Sequence, residues 1–273
     1  MKSSILAAIL WTFFSLAATA QQEANTWYWG AGRAVQFLPT LQEITPGSVH
    51  QNYEACVSMS DRVSGSILFY SDYLLTGGNN TVTIRNLLHN VITVPPLPGN
   101  GTTSQGLLAV PDPADCSRYY VFSLDMQKSA TQPELRKLTY TVLDFHDGIG
   151  RVLTRDNVLL EDYLADGMTG TIHSNGRDYW LIVYRTTSPT FIAISINKNG
   201  INSSNSVYSP TTIPKTDPVA PNGKLKLSPD GKKLMSYVTT TGSGLSDFNP
   251  TTGTVSNYRQ LPPFLSFTFS PDN

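Results

Sequence analysis

Internal repetition restricts the fold of this chain more than any other feature. The clearest unit is Lys224-Leu225-Lys226-Leu227, then Ser228-Pro229-Asp230-Gly231-Lys232-Lys233, then Leu234-Met235-Ser236-Tyr237-Val238. Its first piece alternates apolar and polar residues, as a half-buried strand does. In the middle, Pro229 presets φ for a turn, the Asp230 carboxylate bonds nearby backbone, and Gly231 takes the left-handed conformation without a Cβ clash. The last piece is the return strand, so the unit is a hairpin. It begins again at Ser266-Phe267-Thr268-Phe269-Ser270-Pro271-Asp272-Asn273, where Ser270, Pro271 and Asp272 repeat the turn.

Looser copies come earlier in the chain. One joins residues 168–173 to 179–184 through Ser174-Asn175-Gly176-Arg177-Asp178. Another joins residues 107–110 to 118–122 through a turn over 111–117, and the earliest joins 55–59 to 67–70 through a turn containing Gly65. Second hairpins follow, returning through His146-Asp147-Gly148-Ile149-Gly150, Asn197-Lys198-Asn199-Gly200 and Asn249-Pro250-Thr251-Thr252-Gly253. Two hairpins in a period of about fifty residues make a four-stranded antiparallel unit, the blade of a β-propeller. Such a unit cannot bury its apolar surface alone and must stack on its neighbours. A β-sandwich also shows frequent turn signals, but it lacks a strand–turn–strand unit recurring in one slot. No stretch carries apolar residues at helical spacing without a Gly or Pro breaking it.

The expected fold is therefore all-β, a propeller of four-stranded antiparallel blades of the WD or YVTN type. Residues 27–29, 33–38 and 43–45 read as three short outer strands awaiting an inner strand from the other end of the chain. Residues 266–269 read as an inner strand whose turn stops at Asn273. That is too little for a full ring, so the expectation is an incomplete, open array with an unpaired apolar edge near residues 266–269. The native protein is expected to continue beyond Asn273.

The N-terminus carries an address. Met1-Lys2 is a short positive start, residues 5–16 are an apolar run too short to span a bilayer, and Ala18-Thr19-Ala20 is a small-x-small cleavage signal. Residues 1–20 thus read as a secretory signal peptide and residues 21–273 as the propeller region. No Cys lies just after the cut, which argues against a lipid anchor. Charged residues make up 14% of the chain, below the usual share of about 25%, and hydroxyl and turn residues fill the difference. A net charge of −1 gives no nucleic-acid footprint, and no second apolar run reaches membrane-spanning length.

Trp27-Tyr28-Trp29-Gly30-Ala31-Gly32-Arg33-Ala34-Val35-Gln36-Phe37 resembles the opening of large secreted proteins of gliding bacteria. Glu54-Ala55-Cys56-Val57-Ser58-Met59-Ser60-Asp61 with Leu68-Phe69-Tyr70-Ser71-Asp72 is similar to that family's first blade. Asn175-Gly176-Arg177-Asp178-Tyr179-Trp180 and the two Ser-Pro-Asp turns match further along. The resemblance implies a propeller-like N-terminal region ahead of repeat domains and a C-terminal sorting domain for type IX secretion. It places the protein outside a Gram-negative cell or on its outer surface, and it brings no catalytic residues with it.

The residues carry no catalytic constellation. His50, His89, His146 and His173 lack metal-ligand spacing to one another or to a Cys. Glu161, Asp162 and Asp166 are the densest acids, but neighbouring strand residues face opposite ways, so they read as an inter-blade loop rather than a glycosidase pair. No nucleophile elbow, phosphate loop or dinucleotide motif is present, and no cofactor is expected. Tyr119, Tyr120, Tyr179 and Trp180 share one strand slot and read as packing between blades. Export permits a disulfide between Cys56 and Cys116, expected at the inner-strand ends of neighbouring blades. Blades diverge outward, though, and pairing needs Cα atoms within about 7 Å, so the bond is left open.

Two functions fit this reading. One is a surface module that binds or scaffolds an unidentified protein or glycan. The other is a propeller enzyme of the lactonase or quinoprotein-like kind, which needs convergent Asp, Asn, His or Arg on inner strands. Those strands carry Met59, Ala109, Val110, Ile172, Leu225, Leu227 and Phe269, with His173 the one ionisable candidate beyond lysines, which favours binding. Mass spectrometry of the exported protein is expected to find Gln21, cyclised or not, as its first residue. Retention of residues 1–20 would contradict the signal peptide.

Overall fold

A computed structural model describes residues 22–29, 32–37, 39–44, 55–76, 79–97, 103–124, 135–213, 223–237, 243–262 and 267–270. Residues 1–20, together with Pro271 and Asp272 of the last turn, lie outside these. The described residues form eighteen strands and no helix, in five antiparallel sheets. The first sheet holds β1 (Thr26–Trp29), β2 (Arg33–Gln36) and β3 (Gln42–Ile44), and the first blade holds β4 (Ser58–Ser60), β5 (Ile67–Thr76) and β6 (Asn79–Asn86). Three four-stranded blades follow. The second is β7 (Leu107–Asp112), β8 (Asp115–Leu124), β9 (Arg136–Asp144) and β10 (Arg151–Asp162). The third is β11 (Leu164–Ile172), β12 (Tyr179–Arg185), β13 (Thr190–Asn197) and β14 (Gly200–Pro210). The fourth is β15 (Lys224–Leu227), β16 (Lys233–Tyr237), β17 (Ser243–Phe248) and β18 (Val255–Gln260). Within each, every strand pairs with the next in sequence. This is the expected propeller of four-stranded antiparallel blades. No sheet among the described residues combines strands from both ends of the chain, so the array is open.

The first blade gains a fourth edge without a full strand. Val91 and Leu97 bridge to Arg85 and Val82 of β6, and the Ile92 N–H donates to the Ile84 carbonyl at 2.8 Å.

Why the sheets stack is visible in their middle strands. In β12, Trp180, Ile182 and Tyr184 enter a core shared with Leu225, Leu227 and Leu234 of the fourth blade. Leu181 and Val183, pointing the other way, enter a core shared with Val110, Phe122 and Leu138 of the second blade. In β8, Tyr119 and Val121 pack towards Met59, Phe69 and Ile84 of the first blade, while Tyr120 and Phe122 face the third. Successive strand residues point to opposite faces, so a strand buried on both sides reads as a continuous apolar run.

Turn chemistry sets the hairpins. Ser228 Oγ donates to Asp230 Oδ1 at 2.6 Å, the Lys232 N–H donates to the same oxygen at 3.0 Å, and Gly231 has φ +67°. The expected turn is therefore present, with the Asp230 carboxylate as its brace.

Near the axis one side chain reaches across three blades. Gln105, just ahead of β7, forms a parallel bridge to Gly167 of β11. Its amide then reaches the fourth blade: Nε2 donates to the Leu225 carbonyl at 3.0 Å and Oε1 accepts from the Leu225 N–H at 2.6 Å. The approach needs glycine, because a Cβ on Gly167 would stand 2.5 Å from the Gly223 carbonyl oxygen. A second tie joins the inner hairpin turn of the third blade to the outer hairpin turn of the fourth. Trp180 Nε1 donates to the Pro250 carbonyl at 2.9 Å, and the Ser174 N–H donates to that oxygen at 3.1 Å.

Several expectations are corrected. β1 is not an outer strand awaiting a partner. Its Tyr28 and Thr26 N–H groups donate to the hydroxyls of Ser58 at 2.9 Å and Ser60 at 3.2 Å, which seats it beside β4, the innermost strand of its blade. Tyr28 stacks on Tyr70 with centroids 4.1 Å apart. Phe267–Ser270 belong to no strand, so the inner strand expected there is absent among the described residues. The turn expected over residues 111–117 tightens to residues 113–114, with Pro111 paired to Tyr119.

Nor do Glu161, Asp162 and Asp166 form a loop. Glu161 and Asp162 end β10, where Asp162 pairs with Arg185, while Asp166 lies on the inner strand β11. There it accepts from Arg136 Nη2 at 2.8 Å and from the Ser104 N–H at 2.9 Å. The Arg136 side chain is 1% exposed, so removing its partner strands a buried charge. Asp166→Ala is expected to cost about 3–5 kcal/mol, read from the urea midpoint. Asp162→Ala, at a pair whose arginine is 25% exposed and so keeps water as an alternative partner, is expected to cost less, about 1 kcal/mol; equal losses would refute the distinction.

Candidate functional site

Two concavities lie near the inner strands, and their chemistry differs. The first is a cleft of about 360 Å³ where the inner hairpin turns of three blades converge. Glu23 and Arg62 come from the N-terminal segment and the first blade, Asp112, Asp115 and Cys116 from the second, and Arg177 with Tyr179 from the third. Tyr119 lies beneath them, 1% exposed. Burial raises the Tyr119 phenol well above the usual range, and the carboxylates of Asp61 and Glu23 raise it further. Tyr179 is raised by burial and by Glu23. Tyr120, facing away towards the third blade, is pushed up to about 12 by burial and then by Asp112. All three phenols stay protonated at neutral pH, and that of Tyr120 hydrogen-bonds Asp112.

The turns that carry this cleft are braced before any ligand arrives. Asp61 Oδ1 accepts from the N–H groups of Ser64 at 2.7 Å and Val63 at 3.1 Å. Asn175 Oδ1 accepts from the N–H groups of Arg177 and Asp178, both at 3.0 Å. Neither Glu23 nor Arg62 joins an ion pair among the described residues, while Arg177 pairs with Asp178 and Asp115 with Arg118. Both signs of charge thus stand on a rigid rim and suit a polar partner.

The second concavity is a groove of about 470 Å³ along the inner strands. Trp27 and Tyr28 of β1, Val57 and Met59 around β4, and Leu107, Leu108 and Ala109 of β7 line it, with Ser58, Cys56 and Lys226. Among the described residues, Lys226 is the one charged residue that lines it.

The remaining candidate residues fall elsewhere. His173 is not in the groove: its Nε2 contacts the Thr251 carbonyl at 3.1 Å and its ring stacks on Trp180. His146 lies in the β9–β10 turn, where it and Arg151 bond the Asp144 carboxylate. Tyr119, Tyr120 and Trp180 are buried between blades as expected, and Tyr179 also reaches the turn-face cleft. Cys56 and Cys116 are free thiols. Cys56 precedes the inner strand of its blade, whereas Cys116 follows the inner strand of the next, on β8 and not at an inner-strand end. They line different concavities, so neighbouring blades do not bring them together. No group of three or more potential metal ligands occurs among the described residues, and no helix there is long and apolar enough to cross a membrane. The cleft escaped sequence reasoning because its residues come from three turns far apart in the chain.

No family model matches the chain, and no curated protein matches it. Solved structures are similar in fold. A candidate 6-phosphogluconolactonase from Bacteroides uniformis shares 15% identity over 88% of this chain and 82% of its own, with a TM-score of 0.43. A second, from Bacteroides fragilis, shares 13% identity over 94% and 87%, with a TM-score of 0.40. TolB from Acinetobacter baumannii shares 14% identity over 82% of this chain and 53% of its own, with a TM-score of 0.33. Likenesses of this size say nothing about the activity of this chain.

Carboxylates that brace turns make stability depend on pH. Asp61 is held below its usual range by the Ser64 N–H, Asp144 by His146 and Arg151, and Asp230 by the Ser228 hydroxyl and the Lys232 N–H. A carboxyl lowered in the folded state stabilises above its unfolded value, and the gain is lost as pH falls through the folded value. The thermal midpoint is therefore expected to hold from neutral pH to about 5 and to fall below about 4. Asp144→Asn should flatten that fall; an unchanged acid profile would show that Asp144 contributes nothing.

Proposed function

We propose that this chain is a binding or scaffolding propeller module carried outside the cell, and not a propeller enzyme. The observation that carries the reading is the lining of the axial groove. Lactone hydrolysis or quinone-dependent oxidation needs several convergent polar groups at that place to stabilise developing charge and move protons. The groove is lined instead by Trp27, Met59, Leu108 and Ala109, and among the described residues Lys226 is the one charge lining it. Ordered, mixed-charge chemistry sits on the turn face, where a protein or glycan at the cell surface would be met.

We further infer that the module is the N-terminal part of a type IX secreted protein. The residues that support this lie on β1 and β2 and in the hairpin turn carrying Asn175 and Gly176. A fold by itself hosts many functions, so the reading rests on the sites.

The test is turnover. The purified chain is expected to hydrolyse δ-gluconolactone no faster than buffer does. The Arg177→Ala chain should be folded and should show reduced retention on whole cells to which the unaltered chain binds. A lactonase rate above background that falls on substituting Lys226 would overturn the binding reading.

A further inference from the structure

We propose that the axial groove is a ligand site for a medium-chain alkyl carboxylate, with the carboxylate on Lys226 and the chain lying across Trp27, Val57 and Leu108. The groove is separate from the turn-face cleft, and at about 470 Å³ it falls within the usual range of ligand sites, about 300–1,000 Å³. Its walls are side chains of β1, β4 and β7 with Lys226 of β15, and Trp27, at its edge, is 52% exposed. An exposed indole beside leucine, valine and methionine is apolar surface that a ligand would remove from water.

Charge selects the ligand's end. Lys226 projects from β15 and is exposed, and it joins no ion pair among the described residues, whereas Lys232 and Lys233 of the next turn pair with Asp230 and Asp247. One ammonium beside an apolar wall suits one anionic group. A cationic amphiphile meets repulsion there, and a polyphosphate finds no second cation among the described residues of the lining.

Hydrogen-bond bookkeeping selects an alkyl body over a peptide. Every amide of a bound peptide needs a partner, and each one buried without a partner weakens binding several-fold or more. The wall strands offer few. β4 is paired on one side to β5, and on its other side the hydroxyls of Ser58 and Ser60 already accept from Tyr28 and Thr26. β7 is paired to β8. An alkyl chain carries no polar groups to satisfy, and each methylene it buries tightens binding about fourfold.

The experiment titrates the mature chain with decanoate below its micelle concentration by calorimetry, with octanoate, decyltrimethylammonium and a leucine–alanine tetrapeptide as comparisons. One saturable site for decanoate is expected, with octanoate about 15-fold weaker and the cation not binding. Lys226→Met is expected to weaken decanoate at least tenfold, and Ala109→Trp to abolish binding by filling the groove, both with an unchanged circular dichroism spectrum. Should either variant fail to fold, quenching of Trp27 fluorescence by bromo-substituted decanoate, absent in Trp27→Phe, gives the same answer. The proposal is overturned by no saturable binding of decanoate, by equal binding of the cation, by undiminished binding to folded Lys226→Met, or by the tetrapeptide binding more tightly. Lactone turnover would defeat the function proposed above while leaving decanoate binding to its own measurement.

Discussion

The middle strands of the third blade, β12 and β13, have no solvent face, and the stacking of the sheets follows from that. In β12, Trp180, Ile182 and Tyr184 belong to one core while Leu181 and Val183 belong to another. A strand so arranged is stable only with a sheet on each side, which makes the stack obligatory. It also explains the sparse charge. A residue such as Arg136 is tolerated inside because Asp166 and the Leu164 carbonyl meet it there.

Much of the architecture was legible because turns and alternation are local. Ser228, Pro229, Asp230 and Gly231 specify their hairpin through contacts spanning a few residues, and the structure forms those contacts. Pro111 misled for a local reason too: proline is a turn former, yet here it sits near the end of an inner strand, paired to Tyr119. What the residues could not disclose was the long-range pairing. The seat of β1 beside β4 depends on serine hydroxyls at Ser58 and Ser60, whose identity says nothing about their partners. The Arg136–Asp166 pair and the turn-face cleft escaped for the same reason, since each assembles residues from separate blades.

Polar and apolar chemistry are sorted by position in the blade. The turns hold carboxylates, arginines and asparagine side chains in fixed hydrogen bonds, because a tight reversal leaves backbone N–H groups that need acceptors. The groove-facing residues of β1, β4 and β7 are mostly apolar, because those strands emerge directly from the cores between blades. A binding module can thus offer two dissimilar surfaces on one scaffold without altering the repeat that builds it.

The Gln105 amide has a consequence for how such an array comes apart. In a stack whose members touch only their neighbours, stability is a sum of unit and nearest-neighbour terms, and the ends fray first. Gln105 precedes the second blade yet bonds both backbone groups of Leu225 in the fourth, with the third between them. This next-nearest-neighbour term makes blades two to four a single cooperative unit. Among the described residues the N-terminal sheet shares a small core around Tyr28, Ala34 and Tyr70 with its neighbour, so it is expected to open at lower free-energy cost than the blades that Gln105 joins.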